Sequence, residues 1–192
     1  SLRLELRQDL EDTQLDLAAD IAREEQVLEA HRRLLAGFGW SDERAGEVSP
    51  SDLSLVLYGR GDLFPKRSAY ESIQSIGLHF VRNDSLRSEM ATLYELRLTR
   101  VERFESLLDD RGQALNRFLW TRLSGDEKLQ WREVNYGDEA QVVGLYPTDP
   151  AALRSDDAFR MLMVEVHNLR AVLLGNYRNT EAQINRVLEL LN

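Results

Sequence analysis

The chain contains no cysteine, which removes disulfides, thiolate chemistry and sulfur-ligated metal sites from consideration and leaves the compartment open. It has no run near the roughly 18 apolar residues that a membrane-spanning helix requires. Positive charge is in deficit: 24 Lys and Arg stand against 33 Asp and Glu, a net charge of −9. Such a surface repels phosphate backbones, so no nucleic-acid partner is expected. The basic pairs Arg32/Arg33 and Lys66/Arg67 are too small to change that, and the acidic excess reads first as an aid to solubility. No repeat, low-complexity tract or signal peptide is visible.

Catalytic grammar is missing as well. There is no Gly-x-Ser-x-Gly elbow, no Ser-x-x-Lys and no His-Glu-x-x-His. The glycines of "YGRGD" lack the phosphate-cradle spacing and read as a tight turn. Asp109-Asp110 and Asp156-Asp157 lack the alternating oxygen ligands of a calcium loop, and the second pair suits a helix start. No cofactor, metal ligand or catalytic residue is assigned.

What is present is helical periodicity. Leu6, Leu10, Leu17, Ile21, Leu28 and Leu35 recur along one stripe and predict a helix over residues 2–37, about 50 Å long. Gly37 or Gly39 supplies its C-cap. Ser49, Pro50 and Asp52 predict a short helix, with cap, first position and favourable charge in order. Pro65 opens the next helix, through about Ile76, and Gly77 ends it. Asn83 or Asp84 caps a helix running to about Leu108, with Met90, Leu93, Leu96 or Arg97, and Val101 on its core face. Asp109 to Gly112 suggest a kink or break. The last helix covers about 156–191. The fold class that follows is all-α: an antiparallel helical bundle with three long helices, several short ones and one long irregular connection. It is read as a single helical domain over 1–192, with 124–155 as an irregular covering segment.

The stretches "AYESIQSIG" and "NDSLRSEMATLYE", through Tyr70, Glu71, Ile76, Gly77, Asn83, Asp84, Leu86 and Arg87, resemble an uncharacterised bacterial family of single-pass membrane proteins with a helical extracytoplasmic domain. "SDDAFRMLMVEVHNLRAVLLGNY", through Phe159, Leu162, Asn168, Leu169 and Tyr177, carries a second likeness. The resemblance implies no reaction, cofactor or catalytic residue. It implies a membrane helix ahead of this chain, a bacterial membrane location, and a domain facing the periplasm or outside. The opening "LRLELRQ", inside a helical pattern with only Ser1 before it, fits a domain excised from a longer protein, with 1–37 as its membrane-proximal helix.

Three histidines are scattered along the sequence. His79, in a turn beside Phe80, is a candidate ligand or partner contact, although a bystander in a turn explains it more simply. His31, near the end of the first helix, reads as a positive imidazole favoured by the helix C-terminus. His167 and Glu165 do not share a helix face. Glu24 falls near the apolar stripe, where a bundle-edge position with its head in water is the cheaper explanation. Trp131 and Tyr136 lie in the irregular segment and are candidates for a pocket or partner contact, weighed against sealing that segment onto the bundle. The resulting expectation is a non-enzymatic interaction or structural domain of a membrane-anchored protein, with a protein partner or self-association. The alternatives are a sensor input domain for a small ligand and a hydrolase with an unrecognised carboxylate and histidine site.

Overall fold

A computed structural model describes residues 2–41, 47–59, 61–125 and 145–192. The elements are α1 (Leu2–Gly37), α2 (Pro50–Tyr58), α3 (Ser68–Ile76), a 3-10 turn (Leu78–Phe80), α4 (Asp84–Ala91), a π-helical turn (Thr92–Arg97), α5 (Leu98–Leu119), β1 (Leu123–Gly125), β2 (Leu145–Pro147), α6 (Pro150–Arg154) and α7 (Asp157–Leu190). The fold is an all-α antiparallel helical bundle built on α1, the run from α4 through α5, and α7. The chain divides into two compact units. Unit 1 holds residues 1–23, 61–106 and 172–192, and unit 2 holds 24–60 and 107–171.

The buried line of α1 is Leu6, Leu10, Thr13, Leu17, Asp20, Glu24, Val27, His31 and Leu34. Its steps alternate between four and three residues, the spacing that keeps one seam of a helix facing its neighbours. The buried line of α7 follows the same rule through Phe159, Met163, Val166, Arg170, Leu173, Tyr177, Thr180, Ile184, Val187 and Leu191. Several of these positions are polar, so hydrophobic spacing alone understates which residues point inward. In the α4–α5 run the seam passes from Met90 and Tyr94 to Leu98 and Val101. The π-helical turn adds a residue to the winding. Leu98 is buried as a result, while Leu96 stays exposed, in place of the Leu96 or Arg97 expected from regular spacing.

In unit 1, the Arg7 guanidinium donates to the Leu191 carbonyl at 3.1 Å, so α1 and α7 run antiparallel. Gln183 donates to the Glu89 carbonyl at 3.0 Å and ties α7 to α4. The rings of Tyr70 and Tyr94 stack at 4.0 Å. The start of α3 is capped from a distance: Asp9 of α1 accepts from the Ala69 amide and the Ser68 hydroxyl, both at 2.9 Å. That carboxylate serves the orphan amides of the first turn. It also explains why α3 begins at Ser68 rather than at Pro65, which stays in the extended stretch before it.

In unit 2, Gly39 at φ 74° ends α1, with its amide bonded to Ala36 and the Trp40 amide reaching the Leu35 carbonyl. This paired bonding is the glycine-centred stop. Phe38, Trp40, Phe118 and Phe159 pack their rings together there, with Phe38 and Phe159 edge to face at 5.2 Å. Ser49 caps α2, and Arg33 binds the buried Asp52 through two hydrogen bonds of 2.9 and 2.7 Å. β1 and β2 pair antiparallel, with Ser124 opposite Tyr146.

Asp109 to Gly112 cause no break, because α5 continues unbroken to Leu119. Residues 124–155 contain β1, β2 and α6 in their described parts, and residues 126–144 lie outside the described residues. The membrane reading requires correction. Among the described residues no helix is long and apolar enough to cross a membrane. The anchoring helix as a membrane partner and the bacterial-membrane, periplasm-facing location are therefore withdrawn.

Gly77 stands at φ 111°, where a side chain is strained, and a Cβ there would lie 2.6 Å from the His79 ring. Gly77→Ala is expected to cost about 1–3 kcal/mol in denaturant unfolding. Adding His79→Ala should return only the steric part of that loss. A Gly77→Ala protein as stable as the parent would refute the strain assignment.

Candidate functional site

The inward polar residues of α1 define the two places where chemistry is concentrated. In unit 2, Glu24 and Arg170 form an ion pair that is almost fully buried, their side chains 2% and 6% exposed. One Arg170 nitrogen donates to both Glu24 oxygens, at 2.7 and 3.0 Å. The second terminal nitrogen donates to the carbonyls of Gly59 at 2.9 Å and Val56 at 3.4 Å, while the buried Nε has no hydrogen-bond partner. Those carbonyls belong to the end of α2, where a cation offsets the unsatisfied acceptors and the helix dipole. Glu24 is thus no bundle-edge residue with its head in water. The sequence places it on the seam, but only α7 and α2 show that its charge is answered.

Farther along the same seam, His31 is fully buried. Its Nε2 donates to the Met163 carbonyl at 2.8 Å, which fixes the proton on Nε2. The His167 ring packs edge-on against it at 5.1 Å. Burial drives the His31 pKa down to about 3, and the neighbouring His167 and Arg170 push the same way against the Met163 bond. His167 is lowered too, by burial and then by Arg32. The expected positive imidazole at a helix end is therefore corrected: His31 is a neutral core residue.

In unit 1, Asp20 of α1 and Glu105 of α5 lie under the extended residues 61–67. Glu105 accepts from the Tyr177 hydroxyl at 2.7 Å and from the Leu63 amide at 3.0 Å. Gly61 passes so close to Asp20 that a Cβ would meet its carboxylate oxygen at 2.5 Å. Burial raises the Asp20 pKa to about 6; Arg23 opposes the shift, while Glu105, Asp16 and Asp62 add to it. Glu105 is raised as well, chiefly by burial, although its two hydrogen bonds pull the other way.

His79 sits on the exposed 3-10 turn with its ring against Gly77, in neither cluster. Trp131 and Tyr136 lie outside the described residues. Among the described residues no group of three or more His, Cys, Asp or Glu is placed to hold a metal ion. The His31 and His167 contact and the Glu24 and Arg170 pair were missed from sequence. The available signal was the four-three spacing that sets Glu24, His31 and Arg170 on facing seams; His167 lies beside the α7 seam, half-buried.

Glu24→Ala is expected to cost about 3–5 kcal/mol in urea unfolding, because Arg170 is left charged and buried. Glu24→Leu combined with Arg170→Met should recover part of this, less the donor lost to Val56 and Gly59. A double variant no more stable than Glu24→Ala would move the cost from charge to packing. Between about pH 6.5 and about pH 3 the unfolded chain protonates His31 while the fold does not. Stability contributed by this residue is therefore full above that window and falls as pH falls through it. His31→Gln, which can keep the donation to Met163, should flatten this part of the pH profile of the urea midpoint. An unchanged profile would clear His31 of that role.

No family model matches the chain, and neither a curated protein nor a solved structure matches it. The resemblance to a single-pass membrane family is accordingly withdrawn, together with the membrane-anchored function drawn from it.

Proposed function

We propose that this chain is a non-catalytic helical module that binds a basic amphipathic helix of a protein partner along the outer face of α1. The observation that carries the reading is the pair Leu4 and Leu15, 66% and 73% exposed. They stand three turns apart on one face, about 20° out of line. Ala18 and Ala22, also exposed, extend the face past Leu15; Glu11 stands between Leu4 and Leu15, and Glu5 and Asp16 lie about 100° round the helix to one side. Exposed leucines interspersed and edged with carboxylates complement a helix with leucines on one side and lysines beside them. Three of the buried titratable groups bond within the fold: Glu24 to Arg170, His31 through Nε2 to Met163, and Glu105 to Tyr177 and Leu63.

The test uses a synthetic helix of leucine and lysine at helical spacing, with calorimetric titration at low and high salt. Binding should weaken with salt, and Leu15→Glu should weaken it by about tenfold or more. Absence of binding, or equal binding by Leu15→Glu, would overturn the assignment.

A further inference from the structure

We propose that residues 61–67 form a proton-closed latch on the helices of unit 1, shut while the Asp20 carboxyl holds a proton and loosened at the Gly61 and Leu63 end when that proton leaves.

The latch is held by the buried Leu63 side chain and by bonds to side chains of the helices. The Leu63 amide donates to Glu105 at 3.0 Å, and the Lys66 amide donates to the Thr13 hydroxyl at 3.0 Å. Arg67 pairs with Glu102, and Asp9 receives the Ala69 amide where the segment enters α3. The segment has no helical or strand pairing of its own, so its attachment depends on the state of these acceptors. One of them, Glu105, shares a small region with other negative groups.

Each element packed there contributes charge. α1 presents Asp16, Asp20 and Arg23, with Arg23 3.7 Å from Asp20. The latch itself carries Asp62, Lys66 and Arg67, and α5 contributes Glu105 and Glu102, the partner of Arg67. α7 supplies the neutral Tyr177 hydroxyl, already committed to Glu105. A charge on Asp20 is disfavoured first by its burial; Arg23 opposes that, and Glu105, Asp16 and Asp62 add to it. The helices are braced by their seams. The element able to retreat is the one that covers Asp20 with Gly61. Loosening would let water reach Asp20 and return its acidity toward the usual carboxylate range.

The sign follows from the raised pKa of Asp20. Between its ordinary value of 3.8 and about 6 the closed form binds the proton and the open form releases it. Closure is therefore strongest below that window and is lost as pH rises through it. If Asp20 becomes ordinary on opening, the opening equilibrium rises about tenfold per pH unit within the window and levels off above it.

Amide hydrogen exchange on the full chain tests this, expressed as protection relative to a free peptide at each pH. Leu63 should lose about tenfold or more of its protection between pH 4.5 and 7, whereas Val101, inside α5, should show no such step. Asp20→Asn keeps the shape without the charge and should leave Leu63 well protected at both pH values. A Leu63 amide without a step, a step shared equally by Val101, or a step that survives in Asp20→Asn would overturn the latch. Should the variant fail to fold, carbon-detected titration of Asp20 in the parent decides the matter. A midpoint near 6 that coincides with the Leu63 step supports it, and a midpoint in the ordinary carboxylate range overturns it.

Discussion

A charged or hydrogen-bonding side chain on the buried seam of a helix must be answered from another element, because leaving it unpaired away from water costs more than most single contacts return. α1 sets Thr13, Asp20, Glu24 and His31 on its buried line. Much of the surrounding structure can be understood as the set of answers. Thr13 receives the Lys66 amide, Glu24 receives Arg170, and His31 donates to Met163. Arg170 in turn closes the end of α2. Asp20 is the least completely answered, with Arg23 nearby and other carboxylates around it, and its acidity is altered accordingly.

A buried ion pair contributes little net stability, since desolvating both charges offsets their attraction. Its value here is registration. α1 and α7 both repeat in steps of four and three, so a slip by a heptad would keep apolar residues against apolar residues. The same slip would separate Glu24 from Arg170 and His31 from the Met163 carbonyl. The observed pairing of the two helices in unit 2 joins Glu24 to Arg170, which gives a repetitive seam one preferred alignment.

The titratable groups act in opposite directions on acidification. His31 resists protonation and makes the fold of unit 2 less favourable as pH falls, whereas Asp20 welcomes a proton and makes unit 1 more favourable over an overlapping range. Burial causes both shifts. It disfavours the charged form in each case, and that form is the acid of the imidazole and the base of the carboxylate.

Legible in the sequence were the all-α class, the extents of α1 and α7, the Ser49 cap, a cap at Asn83 or Asp84, a stop at Gly37 or Gly39, and the stop at Gly77. These depend on periodicity and on backbone preferences that act within a few residues. The sequence put the start of α3 at Pro65 rather than Ser68, because the cap is Asp9, some sixty positions away in the chain. It also misled about the core face near Leu96, because a π-helical turn shifts the register there. Only the tertiary structure decided that Glu24 and His31 are core groups rather than surface ones. Spacing places both on the seam, but whether a polar residue there stays wet or is buried and paired depends on which side chains the opposite helix brings, and Arg170 and Met163 enter from the far end of the chain.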